Sequence, residues 1–129
     1  MTNTFTRNLL VPLALLLTAV VTVQAATEFQ QGSYSGTRLR GGTVTLKFGD
    51  KGRFILADEA DKVLVEGTYK VMTDEIEFTD EKGPMAAKDA KPGKYKWKLE
   101  GKALSFTKVS DEAEGRSKGL TGTTWTFEK

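Results

Sequence analysis

Between Thr43 and Phe127 apolar side chains return at every second residue, in one short run after another. A strand turns successive side chains to opposite faces, so this period builds half-buried antiparallel strands rather than amphipathic helices. In "GTVTLKF" the residues Val44, Leu46 and Phe48 share one face, with Thr43, Thr45 and Lys47 on the other. Phe54 and Leu56 follow in "RFILA", then Val63, Val65, Gly67, Tyr69 and Val71 in "VLVEGTYKV", then Ile76 and Phe78. The cleanest alternation sets Tyr95, Trp97 and Leu99 against Lys94, Lys96 and Lys98; Leu104 and Phe106 come next, and Trp125 and Phe127 finish the series. Breaks such as "GDKG" bound the runs and supply turn backbone. No window past residue 26 carries ten residues of helical period. The best short candidate is "SDEAEG", with Ser110 capping a single turn. The expected fold is all-β: an antiparallel up-and-down meander of short strands closing into a small β-barrel of about eight strands, because closure removes exposed edges.

One phrase is written twice. "GTYKVMTDEIEFT" starts at Gly67 and "GKYKWKLEGKALSFT" at Gly93, each reading Gly-x-Tyr-Lys, an alternation, a polar break and a second alternation ending in Phe-Thr. Two copies are too few for a stacked-repeat array. The repeat is expected to be two hairpins of one sheet, with each Gly marking a bend or bulge.

The first 25 residues read differently. "LLVPLALLLTAVVTV", Leu9 to Val23, is apolar and uncharged, Arg7 precedes it, and "VQA" places small residues at Val23 and Ala25. That is the pattern of a signal peptide cleaved after Ala25. At fifteen residues with Pro12 inside, the run falls short of the ~20 that span a bilayer. A secreted or periplasmic protein is expected, with one barrel domain over residues 26–129 and no membrane span in the mature form. The chain has no Cys, so no disulfide framework supports it and packing must hold the fold. Beyond the leader, 18 Lys and Arg are interspersed with 17 Asp and Glu. Nothing in that balance points to nucleic acid or an anionic membrane.

Three stretches carry a family resemblance. "QGSYSG" is similar to the Gly-x-Trp opening of small calycin barrels, with Tyr34 in the Trp place. "LVEGTYKV…EIEFTDEKGP…GKYKWKLEGKALSFTKVSDE" resembles the hairpin core of small bacterial exported lipocalin-like proteins. "DEAEGR" is similar to an Asp-x-Cys-x-x-Arg element in such proteins and supplies Asp111 and Arg116. The combined pattern covers nearly all of the chain past the leader. The resemblance implies a lipocalin-like barrel in which Arg116 covers Tyr34, the pair forming a structural plug at the closed end. It also implies a protein that binds ligands rather than one that turns them over. Ala113 stands where relatives often have Cys, so a disulfide between the Gly83–Pro92 loop and the carboxyl-terminal loop is absent, and both loops are expected to be more mobile.

The absence of His and Cys removes Ser-His-Asp and Cys-His catalysis and nearly every zinc or copper site. The acid pairs Asp58/Glu59, Asp74/Glu75, Asp80/Glu81 and Asp111/Glu112 sit in expected turns, where solvated carboxylates are ordinary. A loose calcium site in "DEKG" or "SDEAEG" is the alternative, without EF-hand spacing. No enzymatic activity, catalytic residue, metal or cofactor is expected. The Lys94–Lys98 row reads as the solvent face of a strand.

Function is expected among the aromatics. Tyr34, Phe48, Phe54, Tyr69, Phe78, Tyr95, Trp97, Phe106, Trp125 and Phe127 share the inner face. A barrel of about eight strands is either filled by such side chains or holds one small ligand. Tyr and Trp bring polar groups that a purely apolar core would have to satisfy. Tyr69, Tyr95, Trp97 and Phe106 are therefore the candidate binding residues for a small apolar or aromatic molecule, with Asp58–Lys62 and Glu81–Pro92 as lids. The alternative is a protein-binding barrel, such as a protease inhibitor or envelope interaction module, acting through its loops or the arm Ala26–Gly36 with Phe29 as anchor.

Overall fold

A computed structural model describes residues 25–38 and 41–129; the expected signal peptide, but for Ala25, lies outside the described residues. Eight antiparallel strands follow one another in a meander and close into a barrel in the order β1 to β8. They are β1 (Gly32–Thr37), β2 (Thr43–Phe48), β3 (Arg53–Asp58), β4 (Val63–Val71), β5 (Glu75–Lys82), β6 (Gly93–Glu100), β7 (Ala103–Ser110) and β8 (Trp125–Phe127). The architecture is consistent with a calycin-like fold. None of the described helices is long and apolar enough to cross a membrane.

The alternation does what the sequence period requires. Of the ten inward aromatics nine are buried, and Phe127 packs half-buried against them. Edge-to-face contacts thread the interior from Phe48 to Tyr69 (5.0 Å), from Phe54 to Phe78 (5.1 Å) and from Phe78 to Phe106 (5.7 Å). Rings at such separations fill the barrel and gain quadrupolar complementarity beyond area burial.

Alternation fails where the ladder slips. Val63 is 38% exposed, although the period turns it inward; Val71, equally exposed, is in register and simply ends β4. A register shift between Leu56 and Ala57 opposes Leu56 to Val65 and Ala57 to Val63. The extra residue lets both Leu64 and Val65 bury, as a bulge does when two residues face one. Ala57 is buried as a result, and Leu56 is only partly covered.

The two repeated glycines serve packing as much as bending. Gly67 lies at a second register shift, where a Cβ would run into the Thr79 carbonyl and the Phe54 ring. At Gly93 a Cβ would run into the Asp111 carboxylate and the Arg116 Nε.

The carboxyl-terminal connection departs from the sequence reading. A helix, α1, spans Glu114–Thr121, one turn beyond the expected position, with Ala113 at its N-cap and no side-chain cap. Ser110 belongs instead to β7. The helix lacks a helical hydrophobic pattern because only Ser117 and Leu120 need to be buried. It packs on β7, where β8 is too short to pair beyond Leu104.

Candidate functional site

The barrel has two differently built ends. Turns β2–β3, β4–β5 and β6–β7 meet the arm (residues 25–31) at one end. Loops β3–β4 and β5–β6 and the helix gather at the other.

At the helix end three charged side chains are packed out of water. Arg116, Asp80 and Asp111 have side chains 6%, 3% and 0% exposed. Arg116 Nε donates to Asp111 Oδ2 and Nη2 to Oδ1, both at 2.7 Å. Its Nη1 faces Asp80 Oδ1 at 3.4 Å, and neither atom has another partner. The Tyr95 hydroxyl also donates to Asp111, as does the Ala113 N–H. Burial alone would push the Asp111 carboxyl up, but the bonds from Arg116, Tyr95 and Ala113 outweigh it and hold the group below its ordinary value. Burial likewise pushes the Tyr95 phenol well above its usual range, and its bond to Asp111 adds to the rise.

These groups also tie the loops down. Ala87 N–H donates to Asp80 at 2.8 Å, Arg116 Nη2 donates to the Lys91 carbonyl at 2.8 Å, and Lys91 N–H donates to Glu112 at 2.7 Å. An ionic staple therefore joins the Gly83–Pro92 loop to the carboxyl-terminal loop, the job that the resemblance assigns to a disulfide. The sequence reading, which weighed only the missing disulfide, did not anticipate these bonds.

Tyr34 takes no part in that staple. Its ring packs with Phe29, Phe48 and Phe127, and its hydroxyl donates to the Gln30 carbonyl at 2.6 Å, at the arm end. Burial, with a smaller contribution from Tyr69, raises its phenol to about 12. Tyr34 and Arg116 thus secure opposite ends, and no cation–aromatic pair links them among the described residues. The reason is simple: Arg116 meets two buried carboxylates, which attract a guanidinium more strongly than a ring face does.

The four candidate binding residues are also divided. Tyr95 points its hydroxyl into the staple at the helix end, and Phe106 packs between Phe78 and Tyr95 in the filled middle. Only Tyr69 and Trp97 reach the arm end, where they line an open cleft of about 730 Å³ with Phe29, Gln31, Val71 and Met72. The expected lid segments lie at the other end of the barrel from this cleft.

Phe29 dominates this mouth. The arm folds back onto the barrel, with Ala26 N–H donating to the Leu99 carbonyl at 2.7 Å and Ala25 bridging Glu100. Phe29 then sets its ring edge-to-face on Phe48 (4.9 Å) and Trp97 (5.4 Å), and 6.2 Å from Tyr69. Gln31 Nε2 donates to the Tyr69 hydroxyl at 3.1 Å, which donates to the Gly49 carbonyl at 2.6 Å. Burial raises the Tyr69 phenol, and the Gln31 bond opposes the rise. One polar group is left over: Trp97 Nε1 is buried without a hydrogen-bond partner. An unpaired buried donor costs roughly 1–3 kcal/mol, so such atoms are uncommon in settled cores.

Sequence reasoning set Asp80 and Asp111 among solvated turn carboxylates, whereas Asp80 lies within β5 and both side chains are buried against Arg116. It also missed the inward turn of Phe29. Asp80 was legible, since it continues the inward series Ile76, Phe78. Phe29 carried a weaker signal, as the lone large apolar side chain in a polar arm. A second groove, about 370 Å³, lies beside Gly36 and is lined by hydroxyls including those of Ser35, Thr37, Thr43 and Thr123. It offers neither ring nor charge. Among the described residues no cluster of three or more carboxylates is arranged to hold a metal ion.

Comparison with protein-family models, curated proteins and solved structures gives no match.

Proposed function

We propose that this protein is an exported, non-enzymatic barrel of lipocalin-like kind that binds a small apolar or aromatic molecule at the arm-end mouth. One observation carries the reading: Trp97 lines that cleft, beside Tyr69 and Phe29, with a buried indole N–H that no protein group accepts. Binding sites typically combine apolar and aromatic walls with a few polar groups that fix orientation. A ligand oxygen in reach of Trp97 Nε1 would satisfy the donor, and its apolar body would pack against Tyr69, Val71 and Met72.

Export is supported by the apolar run Leu9–Val23 and the small residues before Ala26. The kinship to lipocalin-like proteins rests on the resemblance of the hairpin core and on the eight-stranded meander. The alternative, a protein-binding role through the arm, would use Phe29 turned outward; in the structure its ring packs on Phe48 and Trp97, which favours the small-molecule reading.

Native mass spectrometry on the protein purified from its own exported fraction tests the reading. A reproducible extra mass of a few hundred daltons, lost on denaturation, is expected. A bare polypeptide mass from every preparation, with no binding of added aromatic ligands, would overturn it.

A further inference from the structure

Resting on that reading of the arm-end mouth, we propose that Phe29 is a built-in occupant of the site, and that the ligand it stands in for is a neutral aromatic ring system bearing a hydrogen-bond acceptor. The geometry around the ring argues for this. Its edge-to-face contacts with Phe48 and Trp97 have interplanar angles of 85° and 84°. Those are the preferred arrangements for one aromatic ring received by two others. Yet Phe29 is supplied by an arm outside the barrel wall, not by a strand, and it stays half-buried.

The arm is strapped at both sides of that ring. Ala26 is held on Leu99, Gln30 accepts the Tyr34 hydroxyl, and Gln31 reaches Tyr69. These are few bonds, and the arm adds only an isolated bridge at Ala25 to the sheet, so it can lift without breaking the barrel ladder. Lifting it takes one ring from the aromatic cluster and opens the space beside Trp97.

What the phenyl group cannot do defines the ligand. Phe29 offers no acceptor, so Trp97 Nε1 stays unpaired while the arm is down. A ligand that supplies both ring and acceptor replaces everything Phe29 gives and adds the missing hydrogen bond. Glu28 stands at the same cleft and disfavours an anionic acceptor, which leaves a ketone, ether or hydroxyl oxygen. The occupant therefore acts as a competitor. Apparent affinity falls by the fraction of molecules in which the mouth is open.

The test uses prodan, a neutral naphthyl ketone whose emission shifts on leaving water, with 2-dimethylaminonaphthalene as its analogue lacking the ketone. Wild type, Phe29→Ala and Phe29→Leu are titrated, with retention of the fold checked by thermal unfolding. If the mouth is closed most of the time, Phe29→Ala should bind prodan about tenfold more tightly than wild type. Phe29→Leu, which keeps an apolar stopper but loses the ring, should tighten by a measurable but smaller margin than Phe29→Ala. The ketone-free analogue should gain less from Phe29→Ala than prodan does. Equal prodan affinity in wild type and Phe29→Ala would overturn the occupant while leaving the binding site standing. Weaker binding by Phe29→Ala would make Phe29 a wall of the site and also overturn the proposal. An equal gain for both probes would overturn the acceptor requirement. No binding by folded wild type or folded Phe29→Ala would overturn the occupant and the site together. Should Phe29→Ala not fold, the Phe29→Leu titration decides alone: a ring-specific occupant requires a measurable, smaller tightening there, and none overturns it.

Discussion

Arg116 and Asp111 meet side-on through two hydrogen bonds of equal length, 2.7 Å, with both side chains buried. This bidentate pair is the strong form of a charge-assisted contact, and the second carboxylate, Asp80, lies on the far side of the same guanidinium. Removing the cation therefore strands two buried carboxylates. Arg116→Ala should destabilise the protein by about 3–5 kcal/mol, the usual cost of breaking a buried pair from one side. Urea unfolding measures it, and a loss below about 1 kcal/mol would show that the staple is not energetically coupled to the fold.

Acid should weaken the same contact. The Asp111 pKa is lowered in the folded state from 3.8, so its stabilisation is fully present above that unfolded value. It is lost as pH falls through the depressed folded value. Asp58, whose carboxylate accepts the Ala60 and Lys62 N–H groups, shifts in the same direction. Asp111→Asn should therefore lower stability at neutral pH and flatten, without abolishing, the decline below pH ~4. An acid limb unchanged in this variant would contradict the assignment.

Gly93 should not tolerate a methyl group. A Cβ there enters the Asp111 carboxylate and meets Arg116, and neither neighbour can yield without opening the staple. Gly93→Ala should cost about 1–3 kcal/mol, as overpacking does. Combined with Arg116→Ala it should cost less than the sum of the two, because both act on one network. Strict additivity in a double-mutant cycle would contradict this.

The tyrosines should resist alkali. Burial raises all three, Tyr34 to about 12. The neutral phenol of Tyr34 stabilises the fold fully below the unfolded value of 10.0, and that contribution is lost as pH rises through about 12. Ultraviolet titration should show phenolate appearing late and together with unfolding. Phenolate forming near the ordinary value in a still-folded protein would contradict the burial.

The barrel was legible because a two-residue period admits one fold class, and Lys94 through Leu99 states it without interruption. The slips were not legible. Nothing in "RFILA" or "VLVEG" tells which residue a bulge will skip, so Val63 was turned inward when Leu64 is the buried one. Helix α1 escaped for a similar reason. Its position follows from the shortness of β8 and the gap beside β7, a tertiary demand rather than a local pattern. Tyr69 and Trp97 were singled out through their polar atoms, and the structure sets both on the arm-end cleft. Tyr95 carries the same signature, yet its hydroxyl is taken up by Asp111, a partner separated by 16 positions in the chain.

The binding claim is tested most directly by the two indole N–H resonances in a proton–nitrogen correlation spectrum during a prodan titration. Trp125 Nε1 already donates to the Leu120 carbonyl at 3.3 Å, whereas Trp97 Nε1 donates to nothing. Binding at the mouth should move the Trp97 resonance downfield as its N–H gains an acceptor, while Trp125 stays where it is. A Trp97 resonance that holds its position through saturation with prodan would contradict a ligand site at this end of the barrel.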